Sequence, residues 1–244
     1  MRDIICPRCN SGNIVKNGNT VYGKPKFMCK DCRKHFLENP DIREITDEKK
    51  ELVKRMLSEK ISPAGICRVL GISQRWLQSY VDEIYQHIEK KIETIGKGKT
   101  RLIIECDEIW SYVGNKKNKY RIWFAIDVVT KEIVGFYVGS RGREGAEELW
   151  NSLPPEYRQC AVIYTDFWEA YAGVLPSERH RPVAKNSGKT SHIERFNNTV
   201  RQRISRFVRK TLSFSKKLEN HIGAILLFIH HYNAMIIKEI TNTI

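Results

Sequence analysis

Leu102-Ile103-Ile104-Glu105-Cys106-Asp107 is a short apolar run that ends in acid, and the fold is read outward from it. Beyond it, Tyr120, Ile122, Phe124 and Ile126 alternate as a half-buried strand does, and Thr130-Lys131-Glu132 turns the chain into a third strand over residues 133–138. A helix from about Glu144 to Leu153 is stopped by Pro154-Pro155. Cys160-Ala161-Val162-Ile163-Tyr164 reads as a buried strand, again followed by acid at Asp166. A helical piece around Trp168 to Ala172, a short strand near Val183 and a long helical region from about Ser191 complete the order. Three strands, a helix, a strand and a helix make an α/β fold with a mixed sheet.

Asp107 and Asp166 each fall at the carboxyl end of an expected strand, where side chains of an open α/β sheet converge on a ligand. Glu194 lies in the first turn of the last helical region and is the only acid between Arg179 and Lys217, a stretch rich in Lys and Arg. Three carboxylates can hold two divalent cations about 4 Å apart, one activating a water or hydroxyl and the other steadying the leaving oxygen of a phosphodiester. Magnesium or manganese suits such oxygen ligands, and the basic surroundings suit phosphates. Asn198 and Arg201 follow Glu194 by four and seven residues, on the same helix face. Acids at strand ends are also common turn residues, and periodicity does not choose Asp107 over Glu105 or Glu108. Asp127 reads as the approach to a hairpin.

The first segment, residues 1–43, carries Cys6-Pro7-Arg8-Cys9 and Cys29-Lys30-Asp31-Cys32. Two Cys-x-x-Cys knuckles supply four thiolates, the tetrahedral set zinc prefers, whereas a redox pair needs only one. Val21-Tyr22 and Lys26-Phe27-Met28 are short strand candidates, and a ribbon this small depends on structural zinc for its folding free energy. Residues 44–95 read as helices. Thr46 caps the first, Ser62-Pro63 opens the second, and Gly71-Ile72-Ser73 ends that one and caps the third. Short helix, glycine turn, capped helix is the helix-turn-helix pattern, although a plain helical hairpin looks the same. In the DNA-reading version Ser73, Gln74, Arg75 and Gln78 face base edges. Leu77, Val81, Ile84, Ile88, Ile92 and Ile95 extend the third helix, as packing or as a short dimer seam. Gly96-Lys97-Gly98-Lys99 breaks it, so residues 96–99 read as a linker and residues 100–244 as the α/β domain with basic C-terminal helices.

Composition narrows the class. The 244 residues carry 42 Lys+Arg against 28 Asp+Glu, a net charge of +14, with 41% hydrophobic residues. That is too apolar for a disordered chain, and its charge calls for a polyanionic partner. The most apolar run, residues 222–237, is broken by His230, His231 and Asn233 and is shorter than the ~20 residues a span needs. No apolar signal core precedes Cys6, and an odd count of seven cysteines suits reduced thiols or metal ligands. The expectation is a cytoplasmic protein with no membrane partner.

Four blocks carry a resemblance. Glu105-Cys106-Asp107-Glu108-Ile109-Trp110-Ser111-Tyr112-Val113-Gly114, Thr165-Asp166-Phe167-Trp168, His192-Ile193-Glu194-Arg195-Phe196-Asn197 and Lys210-Thr211-Leu212-Ser213-Phe214-Ser215-Lys216 resemble the transposases of the insertion-sequence-one family. The cysteine ribbon and the helix-turn-helix match as well, so the likeness spans almost the whole chain. It implies an RNase H-like catalytic domain of the retroviral-integrase superfamily, with Asp107, Asp166 and Glu194 as the triad holding two Mg²⁺ or Mn²⁺ ions. In many members two overlapping frames encode these parts; here one frame carries both. The implied activity is metal-dependent cleavage and strand transfer at terminal inverted repeats, on double-stranded DNA at element ends and target, by a homodimer or higher oligomer. Lys185, Lys189, Arg195, Arg201 and Arg203 are the backbone-contact candidates, and His192 either contacts a phosphate, aids proton transfer or is structural. The rival readings are a zinc-ribbon regulator without catalysis and an RNase H-like nuclease or resolvase that cuts without joining.

Overall fold

The structure is a computed structural model that describes residues 4–20, 23–37, 45–95, 102–207 and 215–242, without the Lys185 side chain. Val21-Tyr22, the linker 96–99 and Lys210-Thr211-Leu212-Ser213-Phe214 lie outside the described residues. The chain divides into two compact units, Met1–Thr46 and Asp47–Ile244.

The first unit is a three-stranded antiparallel sheet, β1 (Ile14–Asn19), β2 (Pro25–Cys29) and β3 (His35–Leu37). Its buried set is small: Cys6, Phe27 and Cys29. The two knuckles fold alike. Asn10 and Arg33, each directly after the second cysteine of its pair, both take a left-handed φ of 56°. Cys6 N–H donates to Ser11 O at 2.9 Å and Cys29 N–H to Lys34 O at 3.0 Å, so each pair is wrapped by its own tight turn.

The second unit opens with α1 (Asp47–Leu57), α2 (Pro63–Leu70) and α3 (Gln74–His87). The caps of α2 and α3 are those the sequence dictates. Ser62 Oγ accepts from Gly65 N–H, Gly71 takes the left-handed φ of 63° that glycine tolerates, and Ser73 Oγ accepts from Trp76 N–H at 3.2 Å. The expected run-on of the third helix does not occur. Ile88 is already extended, and Ile92 is buried beneath the sheet with Ile109 and Ile122. That apolar stripe is therefore split between two packing tasks within one chain and forms no helical seam.

The sheet of this unit has the order β6-β5-β4-β7-β8. It comprises β4 (Ile103–Tyr112), β5 (Lys119–Asp127) and β6 (Ile133–Gly139), with β5 antiparallel to both its neighbours, then β7 (Val162–Thr165) and β8 (His180–Pro182), parallel to β4. One face is covered by α4 (Arg143–Ser152), α5 (Pro155–Cys160) and α6 (Glu169–Ala172), through Ile104, Cys106 and Trp123 against Ala146, Leu149, Tyr157 and Tyr171. The other is covered by α7 (Ser191–Arg203) and α8 (Leu218–Asn242), through Ile109, Ile122 and Phe124 against Ile193, Phe196, Ile225 and Phe228. With helices on both faces, β5 is buried from Ile122 to Asp127.

Three local readings change. Pro154-Pro155 ends α4 but also starts α5, because proline suits a first helical position, so Cys160 closes a helix and the strand begins at Val162. The C-terminal helical region is two helices, α7 and α8. And β4 continues to Tyr112, which puts Asp107 in mid-strand. Asp127 does lead a hairpin: its Oδ1 accepts from the N–H groups of Val129 and Thr130 at 2.8 Å. The helices α1 and α3 pack on α8 in the same unit, where a Cβ on Gly223 would collide with Tyr85 and Asn220 Nδ2 donates to Asp82 at 3.3 Å. Among the described residues, no helix is long and apolar enough to cross a membrane.

Candidate active site

Strand alternation sorts the acids of β4. Ile104 and Cys106 belong to the α4 face and Ile109 to the α7 face. Glu105 and Asp107 therefore point toward α7, and Glu108 points the other way. The parallel register pairs Glu105 with Tyr164. Two residues further along each strand stand Asp107 and Asp166, side by side where β7 has just ended.

The third acid comes from α7. Glu105, 2% exposed, accepts the backbone N–H of His192 at 2.8 Å and of Ile193 at 2.9 Å, which ties the first turn of α7 to β4. Glu194 follows in that turn, solvent-exposed, its Oε1 accepting from Thr190 Oγ1 at 2.9 Å. One turn on, Asn197 Nδ2 donates to Asp107 Oδ2 at 2.7 Å. Asn197 is 2% exposed, and its own Oδ1 is buried with no hydrogen-bond partner among the described residues. Asp166 Oδ1 accepts from Trp168 N–H at 3.1 Å.

The electrostatics fit a site short of positive charge. Burial pushes Asp107 up to about 6, and the charges of Asp166 and Glu194 push the same way against the hydrogen bonds from Glu108 N–H and Asn197. Burial likewise raises Glu105, opposed by the His192 and Ile193 N–H groups and by Lys131. On the opposite face Glu108 rises to about 7, through burial first and then Asp107 and Asp166. Its partner is Arg141, at 3.7 Å. An oxygen-only set of this kind is what Mg²⁺ or Mn²⁺ selects, and a cation would relieve the repulsion that raises Asp107.

The thiolate set is tighter. The ligand atoms of Cys6, Cys9, Cys29 and Cys32 all lie within 4.8 Å of one another, and among the described residues they are the one such group of three or more His, Cys, Asp or Glu. Cys6 Sγ is 3.5 Å from Cys32 Sγ, and Cys9 Sγ is 3.6 Å from Cys29 Sγ. Four sulfurs about 2.3 Å from a tetrahedral zinc sit about 3.8 Å apart, so the cluster fits that ion.

The remaining candidates separate by what already holds them. Gln74 and Arg75 are exposed at the start of α3, while the Ser73 hydroxyl is spent as the cap. Gln78 Nε2 donates to Asp82 at 2.9 Å, on the edge of a cavity of about 590 Å³ shared with Arg206, Lys216 and Lys217. Arg195, Asn198 and Arg201 are exposed on α7. Lys189 lies 5.3 Å over the Tyr164 ring. Arg203 is engaged by Glu59 and stacks 5.2 Å over Phe228. His192 Nε2 takes a hydrogen bond from Lys131 Nζ at 3.0 Å, and burial, with Lys131 and Arg195 nearby, lowers its pKa. The Lys185 side chain lies outside the described atoms. Glu105, Thr190 and Asn197 were not singled out for these contacts by sequence; the available signal was the i, i+3 relation of Glu194 and Asn197.

Comparison with known proteins finds matches for both parts of the chain. A family model described as IS1 transposase matches residues 101–233, and one described as the InsA N-terminal domain, a zinc ribbon, matches residues 3–33. The insertion element iso-IS1n protein InsB of Shigella dysenteriae is 35% identical over 133 residues, 54% of this chain and 96% of that protein. The insertion element IS1 4 protein InsB of Escherichia coli (strain K12) is 35% identical over 130 residues, 52% of this chain and 75% of that protein. A chain in the simian T-cell lymphotropic virus intasome in complex with PP2A regulatory subunit B56 gamma overlaps 68% of this chain and 67% of its own, at 15% identity and a TM-score of 0.38, a likeness too slight to weigh.

Proposed function

The chain belongs to the IS1 transposase family, and from that premise we propose that it cuts the ends of its insertion element and joins them to target DNA at a site formed by Asp107, Asp166 and Glu194. The observation that carries the reading is the parallel pairing of β4 with β7, which sets Asp107 beside Asp166, together with the Glu105 tether that brings the first turn of α7 to the same strand. Two Mg²⁺ or Mn²⁺ ions held by the three carboxylates would supply the activation of water or of a 3′-hydroxyl and the stabilisation of the leaving oxygen.

The chain's own residues do the rest. Asn197 orients Asp107 through its 2.7 Å hydrogen bond, and Thr190 steadies Glu194. The exposed Arg195, Asn198 and Arg201, with Lys189, would seat phosphates along α7, fixing the scissile bond in line with its attacker. Lys185 and Arg203 belong to the same backbone-contact set in this reading, the latter on release from Glu59. His192, held by Lys131, sits at the edge of the phosphate path. At the other end of the chain, zinc on Cys6, Cys9, Cys29 and Cys32 would hold the ribbon. Gln74, Arg75 and Gln78, behind the Ser73 cap, would read bases in the inverted repeats. Joining two ends in one event requires two such sites, hence a homodimer or higher oligomer on DNA.

The test is a cleavage and joining assay on labelled element-end duplex with Mg²⁺ or Mn²⁺. Wild type is run beside Asp107→Asn, Asp166→Asn and Glu194→Gln, each checked for fold and DNA binding. Wild type is expected to cut and join, and each variant to bind and do neither. An active variant removes that residue from the triad. Wild-type binding without cleavage favours a regulator, and cleavage without joining a nuclease.

A further inference from the structure

The sheet face turned away from α7 carries a second surface, which shares only Asp166 with the triad. Its anchor is Asp166-Phe167-Trp168. Asp166 Oδ1 holds Trp168 N–H at 3.1 Å, a turn that sends the Trp168 ring inward and leaves the ring between them outside. Trp168 stacks on Trp123 at 5.2 Å and meets Tyr171 edge-on at 5.9 Å. Phe167 is 71% exposed, directly beside one of the site's carboxylates.

Cations and a second aromatic lie on the same side of the sheet as its neighbour Trp168. Arg141 lies 4.5 Å over the Trp168 ring and reaches Glu108 at 3.7 Å. Arg141, Gly142 and Arg143 form one wall of a cavity of about 590 Å³ whose other wall is Trp168, Glu169, Ala170 and Gly173. On β4, one pleat repeat (about 7 Å) beyond Glu108 and on the same face, stands Trp110, 42% exposed and paired across the ladder with Arg121. The acids here are Glu108, Glu169 and Glu147. Glu147 pairs with Arg143 at 2.7 Å in an exposed i, i+4 bridge of the kind a phosphate displaces easily.

Aromatic rings presented to solvent between arginines are the hardware of single-strand binding: ring faces stack bases and guanidinium groups track phosphates. A paired base inside a duplex offers no free face to such a ring, whereas an unpaired one does. We propose that this arginine and aromatic surface, with Phe167 and Trp110 as the stacking rings and Arg141 and Arg143 as the phosphate contacts, binds unpaired nucleotides of the DNA strand whose phosphate lies at Asp107 and Asp166. This rests on the transposase reading above. It adds a face, opposite the basic side of α7, for the strand that is displaced or melted at the junction. The turn closed on Asp166 fixes the Phe167 backbone next to the site, so the chain there is already ordered before a base arrives.

The experiment compares three fluorescent probes on the full chain: an oligo-dT strand, element-end duplex with unpaired flanking nucleotides, and the same duplex fully paired. Wild type, Phe167→Ala, Phe167→Tyr and Arg143→Ala are titrated, with cleavage followed in parallel. Phe167→Ala is expected to weaken the oligo-dT and flanked probes by about tenfold and the fully paired probe by less than about twofold, with Phe167→Tyr close to wild type. Arg143→Ala should weaken the unpaired probes and flatten their salt dependence. Equal affinity of wild type and Phe167→Ala for every probe overturns the inference, as does an equal loss on paired and unpaired probes. If wild type neither cuts nor joins yet its grip on unpaired strands depends on Phe167, the surface stands and the transposase reading falls. If wild type cuts and joins while Phe167→Ala binds identically, the reverse holds.

Discussion

The buried carboxylate of Glu105, in the central strand, receives the backbone N–H of His192 at 2.8 Å, joining two residues 87 positions apart and docking the start of α7 on the sheet. A second bond, from Ile193 N–H at 2.9 Å, completes a charged cap for a helix whose N-cap residue, Thr190, makes no side-chain cap bond. Glu105→Ala removes the one oxygen that accepts both bonds and leaves two N–H groups unpaired, that of Ile193 buried. It should cost about 3 kcal/mol in urea denaturation, and should abolish strand cleavage even in conditions where the variant stays folded. Full activity in a folded Glu105→Ala protein would show that Glu194 reaches its place without the tether.

Asn197 acts on Asp107 from the next turn of the same helix. Its amide both supports the carboxylate and carries the orphaned oxygen Oδ1, so a residue of similar size without hydrogen-bonding groups tests it directly. Asn197→Leu is expected to lower cleavage about 10- to 100-fold, as loss of a supporting partner around a metal site does. Calorimetric Mn²⁺ affinity should drop with it. A structural role alone would lower the melting temperature and leave Mn²⁺ affinity per folded molecule unchanged.

These two contacts mark the boundary of what sequence makes legible. The cysteine knuckles, Ser62, Gly71 and Ser73 act on neighbours a few residues away, so spacing alone identifies them. Asp107 and Asp166 were visible as acids attached to apolar runs. The length of β4 was not, because Glu105, Asp107 and Glu108 put charge on both faces of one strand and hide its two-residue period. That Glu105 serves as a helix cap while Glu108 pairs with Arg141 depends on partners 87 and 33 residues away, brought close only by the sheet. Asn197 escaped notice beside its exposed neighbour Asn198, since the i+3 and i+4 positions share a face and only packing decides which one turns inward.

The raised carboxylates set the pH dependence of stability. Folding lifts Glu108 from 4.5 to about 7 and Asp107 from 3.8 to about 6, so the folded protein holds these protons more tightly than the unfolded chain. Their stabilising effect is complete below about pH 4 and is lost as the pH rises through 6 to 7. His221, lowered from 6.5 to about 4 by burial and then by Arg206, works in the opposite sense over much the same range, its stabilisation lost as the pH falls from 6.5 through about 4. The carboxylates are isolated by comparing wild type with Glu108→Gln in chelator-treated samples. The variant should melt higher than wild type at pH 8, and the advantage should shrink toward pH 5. An advantage of the same size at both values would assign the effect to packing. Added Mg²⁺ should narrow the wild-type decline by neutralising Asp107.

Zinc removal should separate the two units. Among the described residues of 4–37 the buried set is Phe27, Cys6 and Cys29, so without a metal nothing of the required size opposes chain entropy. The unit beginning at Asp47 has its own two-sided core and no ligand in the cluster. Titration with a thiol-reactive mercurial should release one zinc per chain into an indicator dye. Amide exchange should then lose protection across β1, β2 and β3 while the strands from β4 onward stay protected. Cys29→Ser, a buried ligand, should reproduce the loss without the mercurial. Release of no zinc from freshly purified protein, with the ribbon still protected, would mean the four sulfurs fold that sheet by themselves. Loss of protection in β4 and β5 on zinc release would mean the second unit leans on the first for its stability.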